Sequence, residues 1–447
     1  MFSICCLVRT KFTLHYLALD VCFVDIVEFN VSNKVPAMGS CFYLYLFSLL
    51  VIAHSGSVGA DIDLDLAAEF RYFPNEGLFG QTRFQPSLSG QAEYVESFTN
   101  NDVEFIVFGR VDKEDKERSH ADVREAAWTH FGEEWEIKVG ISKVFWGVAE
   151  SAHFVDVINQ NDALEGIDGE EKLGQPLTKL SFEKSWGTVD FFWMPYFRER
   201  SFVGPDGRLG LPLAVDVDNA QYESSQEQWH DDFAFRYSHY IGDFDFAVSH
   251  FSGTGREPIL AFNNDFSAPK LLPIYEVVDQ TGLELQYLFE EWIFKFEGIT
   301  NSGMLRRYSA AVAGFEFTQV GVFESQADLG WLFEYLYDDR RNYPITLFER
   351  DVFAGWRYAF NDADSSEVLV GIIYDTKSHE RMFSIEASQR IAEDITLNIE
   401  ARVFSGATKL SDQLPDILDT LARPDIYGKS SYLQDEDYLQ LEFVKYF

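Results

Sequence analysis

From Asp61 to Phe447 the chain alternates apolar and polar residues with a period of two, over runs of about ten positions each. Only a β-strand puts successive side chains on opposite faces, so each run specifies a strand with one apolar and one polar side, and a slip of one residue would invert both. In the first run Ile62, Leu64, Leu66, Ala68, Phe70 and Tyr72 share one face, and Asp63, Asp65, Glu69 and Arg71 share the other. Later runs are as regular. Val368, Val370, Ile372 and Tyr374 oppose Glu367, and Ile395, Leu397, Ile399, Ala401 and Val403 oppose Thr396, Asn398, Glu400 and Arg402.

Eighteen such runs begin near residues 61, 83, 102, 120, 135, 177, 188, 230, 243, 282, 291, 307, 327, 350, 366, 381, 394 and 436. After even-numbered runs the spacers are short, as at 96–100, 132–134, 241–242, 361–365 and 392–393; after odd-numbered runs they are mostly long, as at 146–176, 199–229, 253–281 and 405–435. Tight turns alternating with long polar loops suit an outer-membrane wall, with turns on the periplasmic side and loops outside. The expected fold is therefore all-β: a transmembrane up-and-down antiparallel β-barrel of eighteen strands, with sixteen as the alternative and both termini periplasmic. A secreted β-sandwich fits less well, because its strands average about 5–6 residues. Aromatic residues make up 16% of the chain, and Phe70, Tyr72, Phe84, Tyr94, Trp135, Phe197, Tyr337 and Phe447 fall near run ends, where interfacial girdles sit. That aromatic content excludes disorder, and a net charge of −37 disfavours nucleic acid as a partner.

The N-terminus reads as a leader. Residues 42–53 carry no charge and are too few to span a bilayer as a helix, and Val58 and Ala60 stand at the −3 and −1 positions of a signal-peptidase site. The expected organisation is an over-extended start at 1–37, a signal peptide at 38–60 and a barrel at 61–447. Cys5, Cys6, Cys22 and Cys41 all lie in the leader, so the barrel itself holds no thiol, disulfide or thiolate metal site.

The final run, from Tyr438 to Phe447, alternates apolar residues, with Leu441 and Phe443 on one face and Phe447 last, and resembles the signal read by the barrel-assembly machinery; Lys445 stands where an aromatic is usual. Other stretches resemble a family of porin-like proteobacterial outer-membrane β-barrels without a settled activity. These are Val123-Arg-Glu-Ala126, Val139-Gly-Ile-Ser-Lys-Val-Phe-Trp-Gly147, Val155-Asp-Val-Ile-Asn-Gln-Asn-Asp162, Gly174-Gln-Pro176, Val312-Ala-Gly-Phe-Glu316 and Ala359-Phe-Asn-Asp362. The resemblance covers most of 61–447. It implies a barrel in the outer membrane of a Gram-negative bacterium, among lipid and lipopolysaccharide, and carries no substrate with it.

No motif assigns catalysis, a metal or a cofactor. The histidines show no His-x-x-x-His or His-Glu-x-x-His spacing, there is no phosphate-binding glycine loop, and the best local cluster is His230 with Asp231 and Asp232. A plugged transporter would need about 22 strands. A diffusion channel for small hydrophilic solutes remains, with a hydrolase centred on His230 and a closed structural or adhesive barrel as rivals. If the apolar face meets lipid, the inward charges include Arg71, Arg110, Arg124, Lys138, Arg236, Arg357 and Arg402, with Glu69, Glu93, Asp122, Glu297, Glu316, Glu334, Glu386 and Glu400. They are expected either to pair across strands or to line the pore. The third external loop, 147–176, carries Glu150, Asp156, Asp162, Glu165, Asp168, Glu170 and Glu171 against Lys172, punctuated by Phe154, Val155, Val157, Ile158 and Leu164. Apolar residues in a loop of that length mean that it packs on something. The expectation is that it folds into the barrel and narrows a cation-preferring pore, its carboxylates and the amides of Asn159, Gln160 and Asn161 opposing wall arginines; the alternative is an external cap.

Overall fold

Backbone groups in hydrocarbon have no water to bond, so a wall of strands survives there only if its hydrogen-bond ladder closes on itself. The computed structural model describes residues 60–303, 306–340 and 346–447, and in it the ladder closes. Eighteen antiparallel strands pair in chain order, and the first, Ala60–Tyr72, pairs both with Phe84–Ser97 and with the last, Tyr438–Tyr446. The count is eighteen, not sixteen. The expected segments 1–37 and 38–60 lie outside the described residues, except for Ala60.

The wall strands begin at residues 60, 84, 101, 120, 135, 175, 187, 232, 244, 277, 292, 307, 328, 350, 367, 381, 395 and 438. Each lies within about two residues of its expected start except the tenth, Val277–Phe289, which begins five residues before the expected 282. The reason is where the lipid ends. In its first turn of ladder the outward residues are exposed Asp279 and Thr281, while Val278 is buried inside, so this stretch is paired backbone without the apolar-out signature. Turns after even-numbered strands are short, from two residues at 185–186 to eight at 320–327. At the two-residue turn 242–243, Gly242 has φ +62°, a conformation that favours glycine and fits the twist of a hairpin.

The outward face is an apolar belt: Leu66, Leu88, Trp128, Phe191, Trp331 and Phe443 are all large, apolar and exposed. A soluble surface would not carry so continuous a belt; lipid is its solvent. Among the described residues no helix is long and apolar enough to cross a membrane, which says nothing about crossing by strands. Phe197 departs from the expected girdle. It is fully buried in an external loop, edge-on to Tyr275 with ring centroids 4.8 Å apart, and the Arg256 guanidinium lies 5.3 Å from its ring.

The external loops are ordered beyond what their polarity suggests. Gln221–Tyr222, Ile259–Phe262 and Leu271–Tyr275 form a separate three-stranded sheet, and loop 406–437 contains the helix Leu414–Ala422. Buried Leu213, Leu271, Leu410 and Ile417 tie these loops into one aliphatic cluster. The inner face of the wall also differs from a uniformly polar lining. Leu177, Phe192, Met194, Phe251 and Ile299 point inward and are buried, as are Val312, Leu332, Leu336 and Phe353 further round the wall.

Candidate functional site

Those inward apolar side chains need a cover, and loop 143–174 supplies it. Trp146, Val155, Val157 and Ile158 pack on Leu177, Phe192, Met194 and Phe251 in one cluster, and Ala149 joins Leu332, Leu336 and Phe353 in another. The loop's two ends are clamped together by Asn159. Its Nδ2 donates to the carbonyls of Ser142 and Leu173, both at 2.9 Å, and its Oδ1 accepts from Val144 N–H at 2.8 Å. Asn159 therefore serves the loop's own base and not a wall arginine. Gln160, also buried, donates to the Arg198 carbonyl, while Asn161 accepts from Lys172 at 2.5 Å.

From this base the loop crosses the lumen. On one side, wall carboxylates accept its backbone N–H groups: Glu297 from Val148 at 2.7 Å and Ala149 at 2.8 Å, and Glu334 from Glu150 at 2.7 Å and Ser151 at 2.8 Å. On the other side, wall arginines meet the loop's acids. Arg124 lies 2.7 Å from Asp162, Arg110 lies 2.7 Å from Glu165, and Arg71 donates to the Glu165 carbonyl at 2.8 Å. Arg402 holds Asp168 at 2.8 Å and Arg357 holds Glu150 at 2.6 Å. Charge-assisted bonds of this kind offset the burial of the charges they join.

Two arginines of this network, Arg118 and Arg256, lie outside the alternating runs. Arg118, 1% exposed in loop 113–119, reaches Glu69 at 2.8 Å, Asp112 at 2.9 Å and the Leu164 carbonyl at 2.9 Å. Glu69 thus sits among Arg71, Arg110 and Arg118. Arg256, just past a strand end, pairs with Asp232 at 2.8 Å and donates to the Ile158 carbonyl. A β-bulge opposite Ile106 and Val107 makes Arg124 and Glu125, adjacent in sequence, both point inward and both buried. Glu125 accepts from the Lys143 N–H at 2.8 Å.

The loop acids are tuned by their partners. Burial pushes the Asp162 carboxyl up, but His120 and Arg124 outweigh it and hold it well below the usual carboxylate range. At Asp156 burial prevails over Lys172 and the carboxyl is raised. Burial disfavours a charged His153, yet the Glu170 carboxylate at 3.2 Å and the Glu297 carboxylate at 3.9 Å outweigh it and its pKa rises to about 10. Potential ligand atoms of His120, Asp162 and Glu165 lie within 4.8 Å of one another, but Arg124 and Arg110 already occupy the two carboxylates, so the group is part of the ion-pair network.

Beside the loop lies a cavity of about 1140 Å³. Its wall side is formed by the strands from Arg350–Ala359 to Tyr438–Tyr446, with Arg357, Glu386, Glu400, Arg402 and Glu442 on the lining, and near the external ends of three further strands by Val278, Gln280, Ile299, Asn301 and Tyr308. It runs from Leu211 and Leu213 in the external loops to Glu367, the first residue of its strand on the periplasmic side. Glu69, Arg110, Glu150, Asp156, Asn159, Gln160 and Asn161 border it. Arg71, Arg124, Lys138, Arg236, Asp122, Glu316, Glu334 and Asp162 do not, being tied up elsewhere: Lys138 with Glu104, Arg236 with Glu284, Asp122 with Arg198, and Glu316 with Lys295. Glu93 faces inward opposite Asp63, away from this cavity. His230 lies 2.9 Å from Asp232, whose carboxylate also holds Arg256 and the Thr254 N–H. Leu441 pairs with Phe70 and Ile399 in the closing seam; Phe443 faces lipid, and the Phe447 N–H donates to the Leu64 carbonyl.

Neither a protein-family profile nor a curated protein matches the sequence. Solved structures do match along nearly the whole length. Wzi of Escherichia coli, described as an outer-membrane protein involved in group 1 capsule assembly and a carbohydrate-binding β-barrel, aligns with a TM-score of 0.51 at 11% identity, over 92% of this chain and 89% of its own. OccD3 (OpdP) of Pseudomonas aeruginosa gives 0.47 at 9% identity, over 88% and 93%. The trimer form of OmpT, an outer-membrane protein of Vibrio cholerae, gives 0.44 at 8%, over 87% and 99%. At these identities the likeness is one of fold. The chain has the fold of an outer-membrane β-barrel, with the apolar belt and closed ladder that a wall in lipid requires.

Proposed function

We propose that the protein is a passive outer-membrane channel for small water-soluble solutes, in which loop 143–174 narrows the lumen to a passage along the strands from Arg350–Ala359 to Tyr438–Tyr446. The observation that carries this reading is the cavity of about 1140 Å³, whose lining runs continuously from the external loops to Glu367. Acids outnumber bases along it, so cations pass in preference to anions. Leu441, Phe443 and Phe447 are the residues we assign to recognition by the barrel-assembly machinery. A hydrolase centred on His230 has less support, because Asp232 is already committed to Arg256. In planar bilayers the channel reading expects discrete current steps and a reversal potential of cation-selective sign in a potassium chloride gradient. A silent bilayer would favour a closed barrel, and anion selectivity would contradict the charge argument.

A further inference from the structure

A concave surface that is largely apolar, with a few convergent charged groups, is the usual form of a small-molecule site. The outer part of the cavity beside the long loop has this form. Its outer mouth is lined by half-buried Leu211, Val215, Leu260, Leu421 and Tyr432, contributed by three different external loops and backed by the aliphatic cluster around Leu213 and Ile417. Below the mouth the apolar lining continues on the wall as half-buried Leu369, Ile373 and Met382. Glu386 and Glu400 stand level with Leu369 in the ladder, and Glu367 and Glu442 lie one step further toward the periplasm.

Arg110, Lys172, Arg200, Arg256, Arg340 and Lys429 also border the cavity, but the two arginines on the strands from Arg350–Ala359 to Tyr438–Tyr446 are already neutralised. Arg357 is held by Glu150 at 2.6 Å and Glu316 at 3.7 Å, and Arg402 by Glu400 at 2.7 Å, Asp168 at 2.8 Å and Glu386 at 3.0 Å. Glu367 is exposed, and Glu442 accepts only from the neutral amide of Asn398 at 3.1 Å among the hydrogen bonds of the described residues. Neither is in an ion pair with a described residue. A fully hydrated ion gains nothing from leucines at the mouth, whereas a solute with an apolar part loses unfavourable contact with water there.

We infer that the preferred solutes are amphiphilic cations: an aliphatic or aromatic body that moves over the Leu260, Leu421, Leu369, Ile373 and Met382 surface, carrying a protonated amine that is handed on to Glu386, Glu400 and Glu442. This rests on the channel reading above and gives it a substrate class. The balance of affinity lies with the body, since the charges alone would pass any small cation.

The test uses the full-length protein from outer membranes in planar bilayers carrying potassium chloride current. n-Alkylammonium ions from butyl to octyl are added, and alkanoates of the same lengths serve as the opposite-charge arm. The expected result is block that tightens about two- to fourfold for each added methylene, with alkanoates at least about tenfold weaker. The double substitution Leu421→Ser with Ile373→Ser flattens the chain-length dependence, which separates a site in the pore from disturbance of the lipid. Should that variant fail to fold, Met382→Gln reads the same dependence and Glu442→Gln the charge preference. Clear current steps with block independent of chain length, or equal block by alkanoates, overturn the inference and leave the channel standing. The absence of steps overturns the channel reading, and the inference with it.

Discussion

The loop is held in the lumen by a small number of residues that satisfy several buried groups at once, and these dominate what single substitutions do. Asn159 satisfies two carbonyls and one N–H at the loop's base. An unsatisfied buried polar group costs about 1–3 kcal/mol, so Asn159→Ala should loosen the loop without opening the wall. Single-channel recordings check this: excess open-channel noise with normal gel mobility is the expected pair of results. Arg118 is a different case, because it lies against both Glu69 and Asp112. Replacing it by Leu leaves two buried carboxylates short of a partner, a loss of about 3–5 kcal/mol. The variant should convert from the compact to the slow-migrating form at a lower temperature in a heat-modifiability gel.

His153 makes the docking depend on pH, with a definite sign. Its pKa rises from 6.5 to about 10 when it is held between Glu170 and Glu297. A raised pKa contributes stability that is full below 6.5 and is lost as pH climbs through the folded value. Loop docking should therefore weaken progressively from about pH 7 to beyond pH 10. Conductance noise that grows over that range, and that loses this dependence in His153→Ala, is the outcome to look for.

Among the elements, the wall was almost fully legible in the sequence, and the reason is physical: lipid on one side and a lumen on the other enforce a strict period of two. Legibility ended where the lipid did. The strand Val277–Phe289 begins earlier than its apolar-out pattern does, because Asp279 and Thr281 stand beyond the belt. The small sheet and the helix Leu414–Ala422 are held by contacts among distant loops, which no local periodicity reports. The site was half legible. Arg402 and Glu386 follow from the alternation, but Arg118 and Arg256 lie in loops, and Arg124 with Glu125 share a side only because of a bulge. The inward apolar cluster had one signal, the run Phe191-Phe-Trp-Met194, where both faces of a strand are apolar; Phe192 and Met194 are buried inward while Phe191 and Trp193 face out. Deletion of residues 150–171 tests the loop as an element. The ladder does not depend on it, so the barrel should still form, with conductance raised severalfold; an unchanged conductance would show that the loop does not narrow the path.

On the scale of the whole molecule, the closed ladder provides a rigid frame, and in the proposed channel the inward loop divides its lumen into a filled region and a passage. The filled region is bounded by arginines around Glu69 on one side and by Glu297 and Glu334 on the other. On that reading the passage follows the remaining wall. Residues 61–447 contain no cysteine, so in a chain that starts at Asp61 a single introduced thiol can be modified without background. Ser388→Cys lies on the lining of the passage, whereas Lys138→Cys faces inward away from it. A bulky water-soluble thiol reagent should sharply reduce the current of the first variant and leave that of the second nearly intact. Undiminished current through fully modified Ser388→Cys channels would contradict the account.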